Sequence, residues 1–103
     1  MDRLRPRIDI PKEKIVEFCR KWKIKEFSFF GSVLHKDVRP DSDVDIMVSF
    51  ADDSRWSLWD LGQMREELIT IFGREVDLVE KEALQNPFRK KSIMKKRKVV
   101  YAA

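Results

Sequence analysis

Two aspartates two positions apart form the most informative pattern in this sequence. Asp43 and Asp45 stand in a segment, residues 43–50, that alternates strictly between two sets of side chains. Such alternation predicts a β-strand, and residues two apart on a strand share one face. Neighbouring carboxylates repel each other, which a divalent cation between them would relieve. Since Mg²⁺ prefers carboxylate, phosphate and water oxygens, the pair indicates a site for Mg²⁺ and a phosphate-bearing ligand.

A third acid, Asp77, lies in another predicted strand, residues 75–79, in which Val76 and Leu78 are expected to face inward. Its position in that alternation allows it to reach the face that carries the first two acids. Three acids on one face of a sheet are typical of a two-metal site for phosphoryl transfer. The predicted catalytic and metal-binding residues are therefore Asp43, Asp45 and Asp77.

A Gly-Ser pair precedes these acids by ten residues. Gly31 and Ser32 follow a predicted aromatic strand, residues 26–30, and stand where a short helix could begin. Glycine lets the backbone approach a phosphate closely, and the free N–H groups of a helix start bind anions. We therefore predict Gly31, Ser32 and Asp43 as nucleotide-binding residues. Arg39 and Arg65 are either further contacts to a triphosphate or ordinary surface residues.

Helices must position these strands. The 3.6-residue spacing of apolar side chains predicts helices at about 11–23 and 56–72, and Pro87 favours a third at about 87–97. A short last strand is expected at 99–101. Gly73 is the expected cap of the second helix. The sequence thus predicts an α/β (α+β) fold, with a small mixed sheet flanked by helices in a single domain, residues 1–103.

Three side chains on or near these helices have an expected structural role. Cys19 lies on the apolar stripe of the first helix, with Ile15, Phe18 and Trp22, so it is predicted to be a buried and unreactive thiol. Trp56 and Trp59, at the start of the second helix, are interpreted as packing residues in preference to a binding platform. With the C-terminal helix, they are also the expected location of an exposed apolar patch where the acceptor-bearing subunit docks.

The signature Phe30-Gly31-Ser32, ten residues, then Asp43-Val44-Asp45 resembles that of the DNA polymerase β-like nucleotidyltransferase superfamily. The segments 39–45, 61–72 and 73–79 are similar to those of the minimal nucleotidyltransferases (MNT), over a stretch from about residue 11 to the end. The resemblance implies the polymerase β palm-like nucleotidyltransferase fold. It also implies Mg²⁺-dependent transfer of a nucleoside monophosphate from a triphosphate, with ATP as the expected donor.

The same resemblance implies a partner and the roles of individual residues. MNT proteins pair with HEPN-domain RNases in toxin–antitoxin modules and silence them, in some cases by adding AMP to a HEPN tyrosine. Gly31 and Ser32 match the triphosphate contacts, Asp43 and Asp45 match the metal ligands, and Asp77 matches the third carboxylate. After Gly-Ser the family often has an arginine and a glycine within four residues, where this chain has residues 33–36, VLHK.

Three functions are compatible with the sequence. The first is a nucleotidyltransferase that acts as an antitoxin by modifying a HEPN toxin, within a hetero-oligomer. The second is an antitoxin with a weak or inactive site that blocks the toxin by contact. The third is an RNA-binding module that uses the basic residues 89–91 and 95–98, although no interleaved aromatic pattern supports it.

The composition excludes several other classes of protein. The chain has 103 residues and a net charge of +4, with six acidic residues and one basic residue between positions 41 and 60 and basic segments at both ends. No stretch approaches the ~20 apolar residues of a membrane span. One cysteine forms neither an internal disulfide nor a cysteine zinc cluster. We therefore expect a cytoplasmic protein without membrane contact.

Overall fold

A computed structural model describes residues 11–31 and 43–103 of the chain. Within these residues, the three predicted longer helices and the four predicted strands are all found, and the short helix that could begin at Gly31 lies outside them. The elements are α1 (Lys12–Lys21), β1 (Ile24–Phe30), β2 (Val44–Phe50), α2 (Leu58–Phe72), β3 (Val76–Glu80), a 3₁₀ turn (Lys81–Ala83), α3 (Pro87–Lys96) and β4 (Lys98–Ala102).

The four strands form one mixed sheet in the order β3-β2-β1-β4. Strand β1 pairs antiparallel with both β2 and β4, whereas β2 and β3 run parallel. Parallel neighbours need a crossover connection, and α2 supplies it between β2 and β3. The predicted small mixed sheet flanked by helices is confirmed.

Helices cover both faces of the sheet. On one face, the even-numbered residues of β2 pack with α1 and α2 into the main core, where Val44, Ile46 and Val48 are almost fully buried. On the other face, Met47 and Phe30 pack beneath Ile93 of α3. The alternation of β2 therefore separates a fully apolar face from one that carries Asp45, Met47 and Ser49.

Local capping explains where α2 begins and ends. The Ser57 side chain accepts a hydrogen bond from the Asp60 backbone N–H, and the Asp60 carboxylate accepts one from the Ser57 N–H, which forms a capping box. Gly73 closes the helix in the left-handed conformation with φ 67°, as predicted. Because the cap is Ser57, α2 begins at Leu58 rather than at residue 56.

The predicted packing roles hold for two of the three side chains. Cys19 is buried, and burial raises the pKa of its thiol to about 12, which fits an unreactive core residue. The Trp56 and Trp22 rings pack edge-on with their centroids 5.1 Å apart, and Nε1–H of Trp56 donates to the Trp22 carbonyl. The prediction is wrong for Trp59, which is 88% exposed. It stands nine positions before the buried Leu68, so at 3.6 residues per turn it lies on the opposite side of α2.

No helix among the described residues combines the length and the apolar character that a membrane crossing requires.

Candidate active site

Asp45 and Asp77 lie side by side on the parallel strands β2 and β3. Their Cα atoms are register partners, and adjacent strands are about 4.8 Å apart. The flanking Val44 and Val76 are also paired and are buried in the main core, so both carboxylates leave the opposite face. The structure thus brings Asp77 to the face of Asp45, as its position in the alternation predicted.

Backbone and side-chain bonds hold this register. The Val44 N–H donates to the Glu75 carbonyl at 2.9 Å, where the two strands begin. Nε of Arg65, on α2, donates to the Val76 carbonyl at 2.8 Å, one residue before Asp77. Arg65 therefore fixes the start of β3. Sequence reasoning did not find this role, because nothing in the pattern links a helix position to a backbone carbonyl eleven residues away.

Gly31 completes this end of the sheet from the side of β1. Phe30 is the register partner of Asp45, and Gly31 follows it with φ +73°. A Cβ atom at Gly31 would overlap the Asp45 carboxylate, so both the backbone conformation and the available space require glycine. The backbone of Gly31 consequently lies against the acid that is predicted to hold the metal.

The other predicted site residues differ in their exposure, and two of them are not described by the structure. Asp43 is exposed and directly precedes β2, which begins at Val44 rather than at residue 43. Asp77 is exposed, and Asp45 is half-buried. Ser32, which was predicted to contact the nucleotide, and Arg39 lie outside the described residues.

The donor chemistry of this end of the sheet fits Mg²⁺. Over residues 11–31 and 43–103, no group of three or more His, Cys, Asp or Glu side chains is arranged as a ready-made metal cluster. Mg²⁺ sites commonly use only one or two carboxylates and complete the octahedron with water and substrate phosphates. Asp45 and Asp77 offer such hard oxygen donors on one face, and the missing side chain at Gly31 leaves the space that the Asp45 carboxylate occupies.

A separate polar group anchors the helix α3 layer at the other end of the same face. The Glu26 carboxylate accepts a hydrogen bond from Arg97 at 3.2 Å and lies 3.6 Å from the Lys81 ammonium. Oγ of the buried Ser49 donates to Glu82 at 2.6 Å. Ser49 is four residues along β2 from Asp45. These contacts therefore hold the 3₁₀ turn and the end of α3 against the sheet and do not involve Asp45 or Asp77.

Comparison with known proteins agrees with this fold. Residues 12–100 match the nucleotidyltransferase domain family, and the chain belongs to that family. The protein adenylyltransferase MntA of Thermococcus cleftensis is 34% identical over 85 residues, which cover 82% of this chain and 81% of that protein. The predicted class of enzyme, a nucleotidyltransferase, is thereby confirmed.

Solved structures show the same fold at lower identity. A toxin–antitoxin complex with AMP-PNP superposes with a TM-score of 0.74 at 21% identity, covering 91% of this chain and 75% of that one. A complex of tri-AMPylated Shewanella oneidensis HEPN toxin with its MNT antitoxin gives a TM-score of 0.66 at 21% identity, covering 89% and 70%. The arrangement of α1 to β4 is therefore that of an MNT protein.

Proposed function

We propose that this protein transfers AMP from ATP to a hydroxyl group of a HEPN-domain toxin and thereby acts as its antitoxin. We expect the acceptor to be a tyrosine hydroxyl. One observation carries the proposal: Asp45 and Asp77 are register partners on one face, and the Gly31 backbone lies against Asp45. The similarity to a protein adenylyltransferase supports the reaction, and the likeness to an MNT antitoxin bound to an AMPylated HEPN toxin supports the partner.

In this proposal the residues at the end of the sheet divide into two groups. The backbone at Gly31 and the Ser32 hydroxyl bind the triphosphate. Asp43 and Asp45 hold the Mg²⁺ of the triphosphate, which when bound neutralises negative charge on the phosphates and orients them, and Asp77 helps to hold a second Mg²⁺ on the acceptor side. Asp45 is half-buried and lies on β2, which has β1 and β3 as its neighbours in the sheet.

Asp77 is placed to serve the acceptor. Strand β3 is an edge of the sheet and Asp77 is exposed, so an acceptor can approach this carboxylate from outside the sheet. The acceptor oxygen attacks the α-phosphorus, and the bond between that phosphorus and the bridging oxygen of the β-phosphate breaks. Pyrophosphate leaves, and the acceptor proton passes to the Asp77 carboxylate.

Transfer of label from α-labelled ATP to a co-expressed HEPN partner tests the function. We expect the wild type and Glu80→Gln to label the partner, because Glu80 lies at the far end of the same strand. Asp77→Asn should lower the rate by about 10²–10⁴-fold, which is typical of a lost, positioned base. A wild type that silences the toxin without any transfer would instead favour an antitoxin that acts by contact. Binding to RNA in place of the partner would favour the basic RNA-binding module.

A further inference from the structure

The outer side of α2 carries an exposed apolar patch, defined here by Leu58, Trp59 and Gly62. Leu58 is 85% exposed and Trp59 is 88% exposed. Together with Gln63 and Glu66 they line a shallow depression of about 690 Å³. Two large apolar side chains exposed next to each other indicate an interaction site rather than an ordinary stretch of surface.

The position of the patch separates it from the predicted active site. Met64 and Leu68 form the inner side of α2 and pack on the main core, so the patch faces away from the sheet. Asp45 and Asp77 lie on the other face of that sheet. A molecule bound to the patch is thus separated from the acids by α2 and the sheet, and an acceptor hydroxyl docked there would not reach them.

The patch is complementary to a second copy of itself. Trp59 and Gly62 are three positions apart and lie next to each other on the helix surface. Trp59 projects from it, whereas a Cβ atom at Gly62 would meet nothing within 4 Å. Two α2 helices that run antiparallel about a twofold axis midway between residues 60 and 61 place Trp59 of each copy over Gly62 of the partner subunit.

One positive and one negative side chain flank the patch, and the same twofold axis relates their positions. Two exposed charges lie equally far in sequence from that axis, on opposite sides of it: Glu66, on α2, and Arg55, three positions before the helix begins. Neither makes an ion pair with any other residue that the structure describes. The same antiparallel arrangement brings Arg55 of one copy to Glu66 of the partner subunit, and symmetry repeats the pair. Such an isologous interface closes at a dimer.

We propose that this protein forms a homodimer through α2, in which Trp59 packs over Gly62 of the partner subunit and Arg55 pairs with Glu66 of the partner subunit. The two tryptophans of such an interface together remove about 300–500 Å² from water, well below the ~1,200 Å² of a stable interface. The dimer is therefore weak and reversible. It leaves both catalytic faces outward and does not depend on the transfer activity.

Sedimentation velocity of the full chain across the micromolar range tests the dimer. We expect a concentration-dependent shift from monomer to dimer, and Trp59→Ser should weaken it by about tenfold or more. Phe88→Ser is the matched control, since Phe88 is an aromatic residue of α3 with 84% exposure that does not line the patch. Circular dichroism shows whether each variant retains its fold.

Charge reversal separates a symmetric dimer from any other use of the patch. Arg55→Glu alone and Glu66→Arg alone should each weaken self-association about three- to tenfold, because each creates two like-charge contacts. An equimolar mixture of the two variants should dimerise again, since every reversed charge then meets its opposite. A protein that stays monomeric throughout, or a dimer that is indifferent to Trp59→Ser, overturns the proposal. So does a mixture that fails to recover, or a Trp59→Ser variant that loses only its hold on the HEPN partner.

Discussion

Asp45 and Asp77 are 32 positions apart in the chain, yet their Cα atoms are direct register partners across the parallel pair β2 and β3. This pairing concentrates negative charge at one end of the sheet, on the face away from the main core. A cation or another positively charged group between the acids relieves that repulsion. The relationship therefore ties the strand order of the fold directly to the proposed chemistry.

Substitution of Gly31 by alanine should lower ATP affinity by more than backbone strain at this position explains. Gly31 and Gly73 both have positive φ, near 70°, so alanine is strained at either position by about 1 kcal/mol or more. Only at Gly31 does the added Cβ also collide with a carboxylate, whereas nothing lies within 4 Å at Gly73. We expect Gly31→Ala to lower ATP affinity and Gly73→Ala to leave it unchanged, as measured by calorimetric titration. Equal loss in both variants would show that the Asp45 contact is unimportant.

Removal of the Arg65 guanidinium should loosen the start of β3. Its Nε donates to the Val76 carbonyl, so Arg65→Met leaves a carbonyl unpaired and should cost about 1–3 kcal/mol of unfolding free energy. Because Val76 adjoins Asp77, kcat should fall more than the KM for ATP rises. Urea unfolding and the transfer assay measure the two effects, with Arg20→Met on the exposed side of α1 as control. A variant with wild-type kcat would contradict this positioning role.

Stability should depend on the ionisation of Glu67. Burial by itself raises the pKa of this carboxyl group, but hydrogen bonds from Lys21 and Trp22 outweigh it, so the pKa lies below its usual value of 4.5. A lowered folded-state pKa means that the charged group stabilises the fold above the unfolded-state pKa. That stabilisation disappears as the pH falls through the folded-state pKa.

Glu67→Gln should therefore unfold at lower urea concentration than wild type at neutral pH, and the difference should shrink once the pH is below ~4. Glu17→Gln, on the exposed side of α1, is the control and should change little at either pH. A Glu67→Gln deficit that is as large in acid as at neutral pH would show that the contacts of Glu67 do not depend on its charge.

Cys19 should report global unfolding. Burial raises the pKa of its thiol to about 12, and the thiolate is the reactive form, so an aromatic disulfide reagent at about pH 8 should not react with the folded protein. Labelling should follow the urea unfolding curve measured by circular dichroism. Fast labelling without urea would mean that α1 opens on its own.

Local patterns in the sequence were sufficient for the elements but not for their pairing. The alternation of β2 and the cap at Gly73 depend on neighbours within a few positions, so they predict the element types well. The register of Asp45 with Asp77 depends on hydrogen bonds between segments far apart in the chain. The contact between Gly31 and Asp45 arises the same way.

Trp59 shows where local patterns mislead. Its apolar side chain suggested packing, but at 3.6 residues per turn Trp59 lies on the side of α2 away from the buried Met64 and Leu68. Spacing along the helix, not residue type alone, decides which side of a helix is buried.

Calorimetric titration of ATP with Mg²⁺ tests the central claim, that Asp43 and Asp45 hold the metal–triphosphate while Asp77 serves the acceptor. The account predicts that Asp43→Asn with Asp45→Asn abolishes Mg²⁺-dependent ATP binding in a protein that stays folded, because the double change relieves repulsion. It predicts that Asp77→Asn binds ATP nearly as well as wild type. Unchanged ATP affinity in the folded double variant would contradict the site.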